Sequence, residues 1–158
     1  MAPHALWPQI EAIYRSELAR FVRVARAITG DRETALEAVQ EGFADALRNA
    51  SQWKGSGPLE GWVWRCVINR ARKARPVRAT SLPDEHETNG WVSDPDAELR
   101  THLAALPERQ RLVVFLRYFA DLDYREIATA VGIEVGTVGA TLSAAHAKLR
   151  TALEEVSA

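Results

Sequence analysis

Apolar residues in this chain recur at three- and four-residue steps over most of its length, the spacing that places side chains on one face of an α-helix. Ile10, Ile13, Tyr14, Leu18, Phe21, Ala25 and Ile28 form the first such stripe, with Pro8 suited to a first turn and Gly30 ending the pattern. Asp31 is placed to cap a second helix with the stripe Leu36, Val39, Phe43, Leu47 and Ala50, closed by Ser51 and the Gly55-Ser56-Gly57-Pro58 turn. A third helix carries Leu59, Trp62, Val63, Cys66 and Val67 on one side, and Pro76 is expected to stop it. Trp62 and Trp64 lie two apart and cannot share one helix face. The stripe therefore assigns Trp62 to the core and leaves Trp64 nearer the surface.

The second half reads the same way. Asp94 and Pro95 open a helix through Leu99, Leu103 and Leu106, and Pro107 opens another through Leu112, Phe115, Leu116 and Phe119. Asp123 can cap a short helix, Tyr124 to Val131, that Gly132 stops, and a longer helix runs from Glu134 to Leu149 or beyond. With Ile127, Ala128, Val131, Ile133, Val138 and Leu142 as its inward set, this pair has the pattern of a helix-turn-helix. No window alternates with period two, so an all-α fold without a sheet is expected.

Between the halves, residues 80 to 90 collect Pro, Asn, Gly, Ser and Thr with no sustained apolar period, which marks a linker. The expected organisation is two small helical domains, 1–77 and 95–158, joined by a flexible acidic linker over 78–94. The chain of 158 residues is long enough for two such compact units.

Charge sharpens this division. The net charge is only -1, but residues 1–79 hold 13 basic and 8 acidic side chains, residues 80–98 hold 6 acidic and no basic ones, and residues 99–158 hold 7 of each. From Arg65 to Arg78, Arg65, Arg70, Arg72, Lys73, Arg75 and Arg78 meet no acidic residue, the local footprint expected of nucleic-acid binding. Asn69 on the same helix has an amide able to read a base edge. The plain alternative is a solvated basic face.

Several classes of function fall away. One cysteine, Cys66, excludes an internal disulfide and a Cys-rich zinc site, and its place on an apolar stripe makes it a structural thiol rather than a nucleophile. His4, His86, His102 and His146 are scattered without ligand spacing, and Gly55-Ser56-Gly57 lacks the strand and Gly-Lys of a phosphate loop. No enzyme, metal or cofactor is expected. No run approaches the roughly 20 apolar residues of a membrane span and the N-terminus lacks a signal-peptide form, so a cytoplasmic protein is expected.

The order of Gly30-Asp31, Val39-Gln40-Glu41, Phe43, Trp53-Lys54-Gly55, Trp62-Val63-Trp64-Arg65 and Asn69, then Leu106-Pro107-Glu108-Arg109-Gln110-Arg111, Leu116-Arg117-Tyr118, Tyr124-Arg125-Glu126-Ile127-Ala128 and Val135-Gly136-Thr137-Val138, resembles the extracytoplasmic-function group of bacterial RNA polymerase sigma factors. The resemblance covers nearly the whole chain. It implies a promoter-melting domain and a helix-turn-helix domain, with core RNA polymerase and promoter DNA as partners, an anti-sigma protein as a candidate third, and a monomer when free. Glu37, Gln40, Glu41 and Asp45 would face the polymerase, an acidic surface suited to a basic partner. Trp53, Lys54, Gly55 and Ser56 match the loop that captures a flipped base of the minus-ten element, where stacking recovers the cost of extrusion; for Trp53 the resemblance favours a packed anchor, since that position in the group is often a core aromatic. Trp64, Arg65, Asn69, Arg70, Arg72 and Lys73 would line the same strand.

The resemblance also implies a minus-thirty-five surface on the last helix, comprising Arg125, Thr137, Gly139, Ala140, Thr141, Ser143, His146 and Lys148. Typical members carry several Lys or Arg there. Small neutral residues can touch a thymine methyl, whereas bidentate reading of guanine needs Arg or Lys. Two readings stay open: weak upstream binding supported by DNA shape, or a helix-turn-helix serving a protein partner. The second would make the chain a sigma-like regulator without promoter-specific initiation. Gly42, where the group usually has a bulky apolar residue, is a further departure expected to loosen the second helix.

Overall fold

The computed structural model describes residues 3–55, 57–74 and 95–157. Among them are seven α-helices and no strand: α1 (Trp7–Thr29), α2 (Arg32–Arg48), α3 (Leu59–Ala74), α4 (Pro95–Ala105), α5 (Glu108–Tyr118), α6 (Tyr124–Val131) and α7 (Val135–Ser157). The expected linker over 78–94, the Asp94 cap, the Pro76 stop, Ser56 and the basic residues Arg75 and Arg78 lie outside the described residues.

The boundaries follow local chemistry. Gly30 adopts a left-handed conformation (φ 83°) and its N–H closes on the Arg26 carbonyl, a geometry that costs a Cβ-bearing residue energy. Asp31 then accepts the Thr34 N–H at 2.8 Å and starts α2. At α6 the cap is reciprocal: Asp123 Oδ1 accepts the Glu126 N–H at 2.8 Å and Glu126 Oε1 accepts the Asp123 N–H at 3.0 Å.

Helices α1, α2 and α3 pack around an aromatic centre. The Phe21 ring stacks on Trp64 with centroids 3.8 Å apart, and Phe43 meets Phe21 edge-on at 4.8 Å and Tyr14 at 5.0 Å. Trp64 is 0% exposed and Trp62 half-buried, the reverse of the sequence expectation. The inward set of α3 is Val63, Trp64, Val67, Ile68 and Ala71, rotated from the expected stripe because α1 and α2 approach from one side and α6 from another. Leu59, Trp62 and Cys66 fall on the margin of the core. Leu36, also expected inside, is exposed on α2.

Gly42 does not loosen α2. It is buried, and a Cβ there would lie 2.6 Å from the Val67 Cα. Its missing side chain lets α2 and α3 close to backbone contact, which offsets the roughly 1 kcal/mol of helix propensity that glycine gives up. In the second half, α5 is buried through Leu112, Val113, Val114, Phe115 and Leu116. Val138, Leu142 and Ala145 of α7 and Ile127, Ala128 and Ala130 of α6 complete that core.

The halves touch. Helix α6 packs on α3, Arg72 Nε pairs with Glu108 at 2.7 Å, and Arg20 and Arg23 of α1 donate to the Ala120 and Phe119 carbonyls at 3.3 and 3.4 Å. One substitution tests the packing directly. On an exposed helix Gly→Ala stabilises by about 1 kcal/mol, but Gly42→Ala should destabilise by about 1–3 kcal/mol through overpacking against the α3 backbone, read as a lower urea midpoint for the unfolding of the α1–α3 core.

Candidate nucleic-acid and partner interfaces

Helix α2 turns one face to the core through Ala35, Ala38, Val39, Phe43 and Ala46, which leaves Glu37, Gln40 and Glu41 exposed and Asp45 half-buried. Asp45 is not only a surface group. It accepts Arg70 Nε at 2.5 Å and Nη2 at 2.9 Å and also pairs with Arg48, while Arg70 Nη1 reaches Glu41 at 3.3 Å. The Arg70 hydrogen bonds hold the Asp45 carboxyl below its ordinary value. One guanidinium thus brackets α3 to the acidic face of α2.

That face adjoins a groove of about 390 Å³ lined by residues that include Trp7, Tyr14, Gln40, Phe43 and Leu47. Trp7 is 41% exposed, and its indole N–H donates to the Leu47 carbonyl at 3.1 Å. The periodicity of α1 gives no reason to single Trp7 out, since it stands before the stripe begins. Its tie to Leu47 is 40 residues away in sequence.

The loop after α2 contains a left-handed Gly55 (φ 77°) and exposed Lys54. Trp53 is half-buried against the core, and its indole N–H closes the loop by donating to the Gly57 carbonyl at 3.0 Å. Both features fit the anchor reading of Trp53. Ser56 lies outside the described residues.

The described basic side chains of α3 turn to different neighbours. Arg70 turns to α2. Arg72 pairs with Glu108 of α5. Arg65 lies against Gly132, whose Cβ, if present, would sit 3.6 Å from the guanidinium. Asn69 and Lys73 are exposed. Trp64 is corrected here as a base contact: buried under Phe21, its ring faces no solvent. Cys66 is half-buried, and burial pushes its thiol up to about 11, far from a reactive thiolate.

In the helix-turn-helix, Gly132 makes the left-handed turn (φ 78°) between α6 and α7. Ala140, Ser143 and Lys148 on α7 and Arg125 on α6 are exposed. Thr137 and Thr141 are half-buried, and the Thr141 hydroxyl donates to the Thr137 carbonyl at 2.6 Å. Gly139 faces Tyr124, whose ring would stand 3.7 Å from an added Cβ. His146 Nε2 lies 2.8 Å from the Tyr118 hydroxyl. Two aromatic residues that pattern reasoning passed over therefore flank this surface. Tyr118 is 58% exposed, and Tyr124 is 42% exposed with the Arg117 guanidinium 6.0 Å from its ring centre. Both stand at helix ends, where a hydrophobic period has stopped being informative.

Comparison with known proteins supplies the rest. Residues 13–76 match the family Sigma-70 region 2, and residues 96–149 match Sigma-70, region 4. The chain is 31% identical over 156 residues to the RNA polymerase sigma-E factor of Streptomyces avermitilis, covering 92% of this chain and 86% of that one. It is 26% identical over 149 residues to the ECF RNA polymerase sigma factor SigM of Mycobacterium tuberculosis, with 88% and 74% covered. Its fold is similar, at a TM-score of 0.65 and 18% identity over 92% of this chain and 97% of the other, to the sigma factor RpoE solved in complex with the anti-sigma factor NepR from Bartonella quintana. With both sigma regions matched in order and a relative of this identity aligned nearly end to end, the chain belongs to the extracytoplasmic-function group of RNA polymerase sigma factors.

Proposed function

We infer that this chain, a transcription initiation factor by family, docks on core RNA polymerase through the exposed part of α2 and engages the melted minus-ten strand along the exposed edge of α3. The observation that carries the reading is the Arg70 bracket. It fixes the acidic face of α2 to α3 at one register, so a polymerase held by α2 presents the edge bearing Asn69 and Lys73 in a set position. The work is done by binding. Strand opening follows when the melted form gains contacts the duplex lacks, and the protein makes no covalent step.

Within this division Glu37, Gln40 and Glu41 serve docking, and Asp45 supports them through Arg70. Lys54, Gly55 and Ser56 with Asn69 and Lys73 serve the minus-ten strand. On α7 the exposed Ala140, Ser143 and Lys148 with Arg125 form the upstream surface, where methyl contacts and DNA shape take the place of guanine readout. An anti-sigma protein belongs to the same reading as a regulatory partner. The domains act as units of 1–77 and 95–158, in the cytoplasm where polymerase and promoter are found.

The deciding measurement is affinity for core RNA polymerase in competition with a known sigma factor; failure to compete removes the docking reading. Glu37→Lys should weaken that affinity by roughly tenfold, about 1.4 kcal/mol, mostly in association rate and with unchanged thermal stability. Asp45→Lys should weaken binding and also lower the melting temperature, because it strands Arg70. For DNA, Asn69→Ala with Lys73→Ala should weaken the promoter complex and flatten the slope of log affinity against log salt by about 1, at undiminished polymerase affinity. An unchanged salt slope would take α3 out of the DNA interface.

A further inference from the structure

The groove between α1 and α2 is walled at one end by Trp7, Ile10 and Glu11, residues that precede the match to Sigma-70 region 2 at 13–76. The Trp7 ring is exposed yet fixed in place. Its N–H donates to the Leu47 carbonyl at 3.1 Å, and the His4 ring meets it edge-on with centroids 4.3 Å apart. Half-buried Tyr14 and buried Phe43, edge to face at 5.0 Å, line the groove beside it. The groove of about 390 Å³ is therefore faced by three aromatic rings, with the Leu47 side chain among them.

On α2 this groove and the acidic face are two flanks of one surface. Gln40 and Ala44 line the groove, and Glu37 and Glu41 stand one turn from them on the same helix. Leu36 is apolar and exposed; four residues before Gln40 and seven before Phe43, it prolongs the apolar flank toward the start of α2. A partner laid along α2 thus meets apolar groups on one flank and carboxylates on the other.

Charge and contact together identify the occupant. Arg15 offsets Glu11 through their pair at 2.7 Å, whereas Glu37 and Glu41 give the α2 rim its acidic character. Such a rim disfavours phosphate, so the fit is to a protein segment that carries basic side chains next to apolar ones. The groove is also continuous with the face of α2 assigned above to polymerase docking. Complementary charge on that face speeds encounter and fixes register, while lasting affinity comes from apolar anchors seated in a desolvated pocket.

We propose that the α1–α2 groove receives an apolar anchor of core RNA polymerase and that Trp7 is the residue of this chain that closes on it. The proposal rests on the docking reading of α2 and deepens it. The carboxylates bring the partner in, and the groove holds it. An indole already tied to Leu47 loses little freedom when it is covered, which favours binding.

Ala44→Gln in the full chain is the direct test. Glutamine is a good helix former, and its amide would lie where the anchor packs, unpaired once covered. Circular dichroism and melting temperature should match the parent. Affinity for core RNA polymerase should fall about tenfold, through faster dissociation at an unchanged association rate and salt dependence. Trp7→Ala should show the same fall, and Trp7→Phe, which keeps a ring without the N–H, should restore most of it. A role limited to the hydrogen bond with Leu47 would give no such recovery. Parental dissociation rates for Ala44→Gln and Trp7→Ala, in a chain whose association still responds to Glu37→Lys, would overturn the groove and leave the docking face standing. A parent chain that fails to compete for polymerase removes both. Sedimentation of the parent alone adds one more overturning result: a dimer that Ala44→Gln dissolves would assign the groove to a second copy of this chain.

Discussion

Helix α3 is asked to pack on three helices at once, and the rest of the molecule is arranged around how it does so. A helix of 16 residues offers little more than four turns. Trp64 fills the space toward α1 by stacking on Phe21, Gly42 removes a side chain so that α2 can reach the α3 backbone, and Gly61 does the same for α6. Two glycines and one large aromatic therefore set three helix spacings. What remains of the α3 surface is largely polar, and its exposed polar residues are Arg65, Asn69, Arg72 and Lys73.

This crowding explains why polar chemistry on α3 is divided rather than pooled. Successive residues on a helix point about 100° apart, so a run of Arg and Lys meets different neighbours one by one. Arg70 finds Asp45 and Glu41, Arg72 finds Glu108, and Arg65 finds the turn at Gly132. A stretch of sequence with basic residues and no acidic one thus becomes a set of separate tasks, fastening two helices and joining two halves, with Lys73 left exposed. In a fold this small the same side chains cannot be dedicated to one role.

Local punctuation was readable at the ends of α1, α2 and α6. The Gly30 stop, the Asp31 cap, the Asp123 cap and the Gly132 turn all act within a few residues of themselves, and helix type and order followed from them, while the return bond between Glu126 and the Asp123 N–H is seen only in the structure. Rotation of a helix about its axis was not readable in the same way. Trp62 and Trp64 fit alternative stripes equally well until α6 occupies one side of α3, and Leu36 belongs to the α2 stripe by spacing yet stands at its edge. Gly42 reads as a weak point in an isolated helix because its benefit belongs to Val67, 25 positions away. For the site, the acidic α2 face and the exposed end of α3 were legible as charge. The pairings that divide the arginines, and the aromatic flank of Tyr118 and Tyr124, depend on contacts between elements that no local window contains.

The reciprocal cap at the start of α6 has a consequence for how the molecule comes apart. Glu126 secures the first turn of its own helix through the Asp123 N–H while lying in the contact with α3. Fraying of that turn therefore also loosens the contact with α3. Heat or denaturant should reach this seam before it reaches the Phe21–Trp64 centre, because the seam is held by a short helix of 8 residues and a few polar ties. Unfolding then proceeds in two stages, with a partly opened species whose two helical cores are intact, and a single midpoint would describe neither.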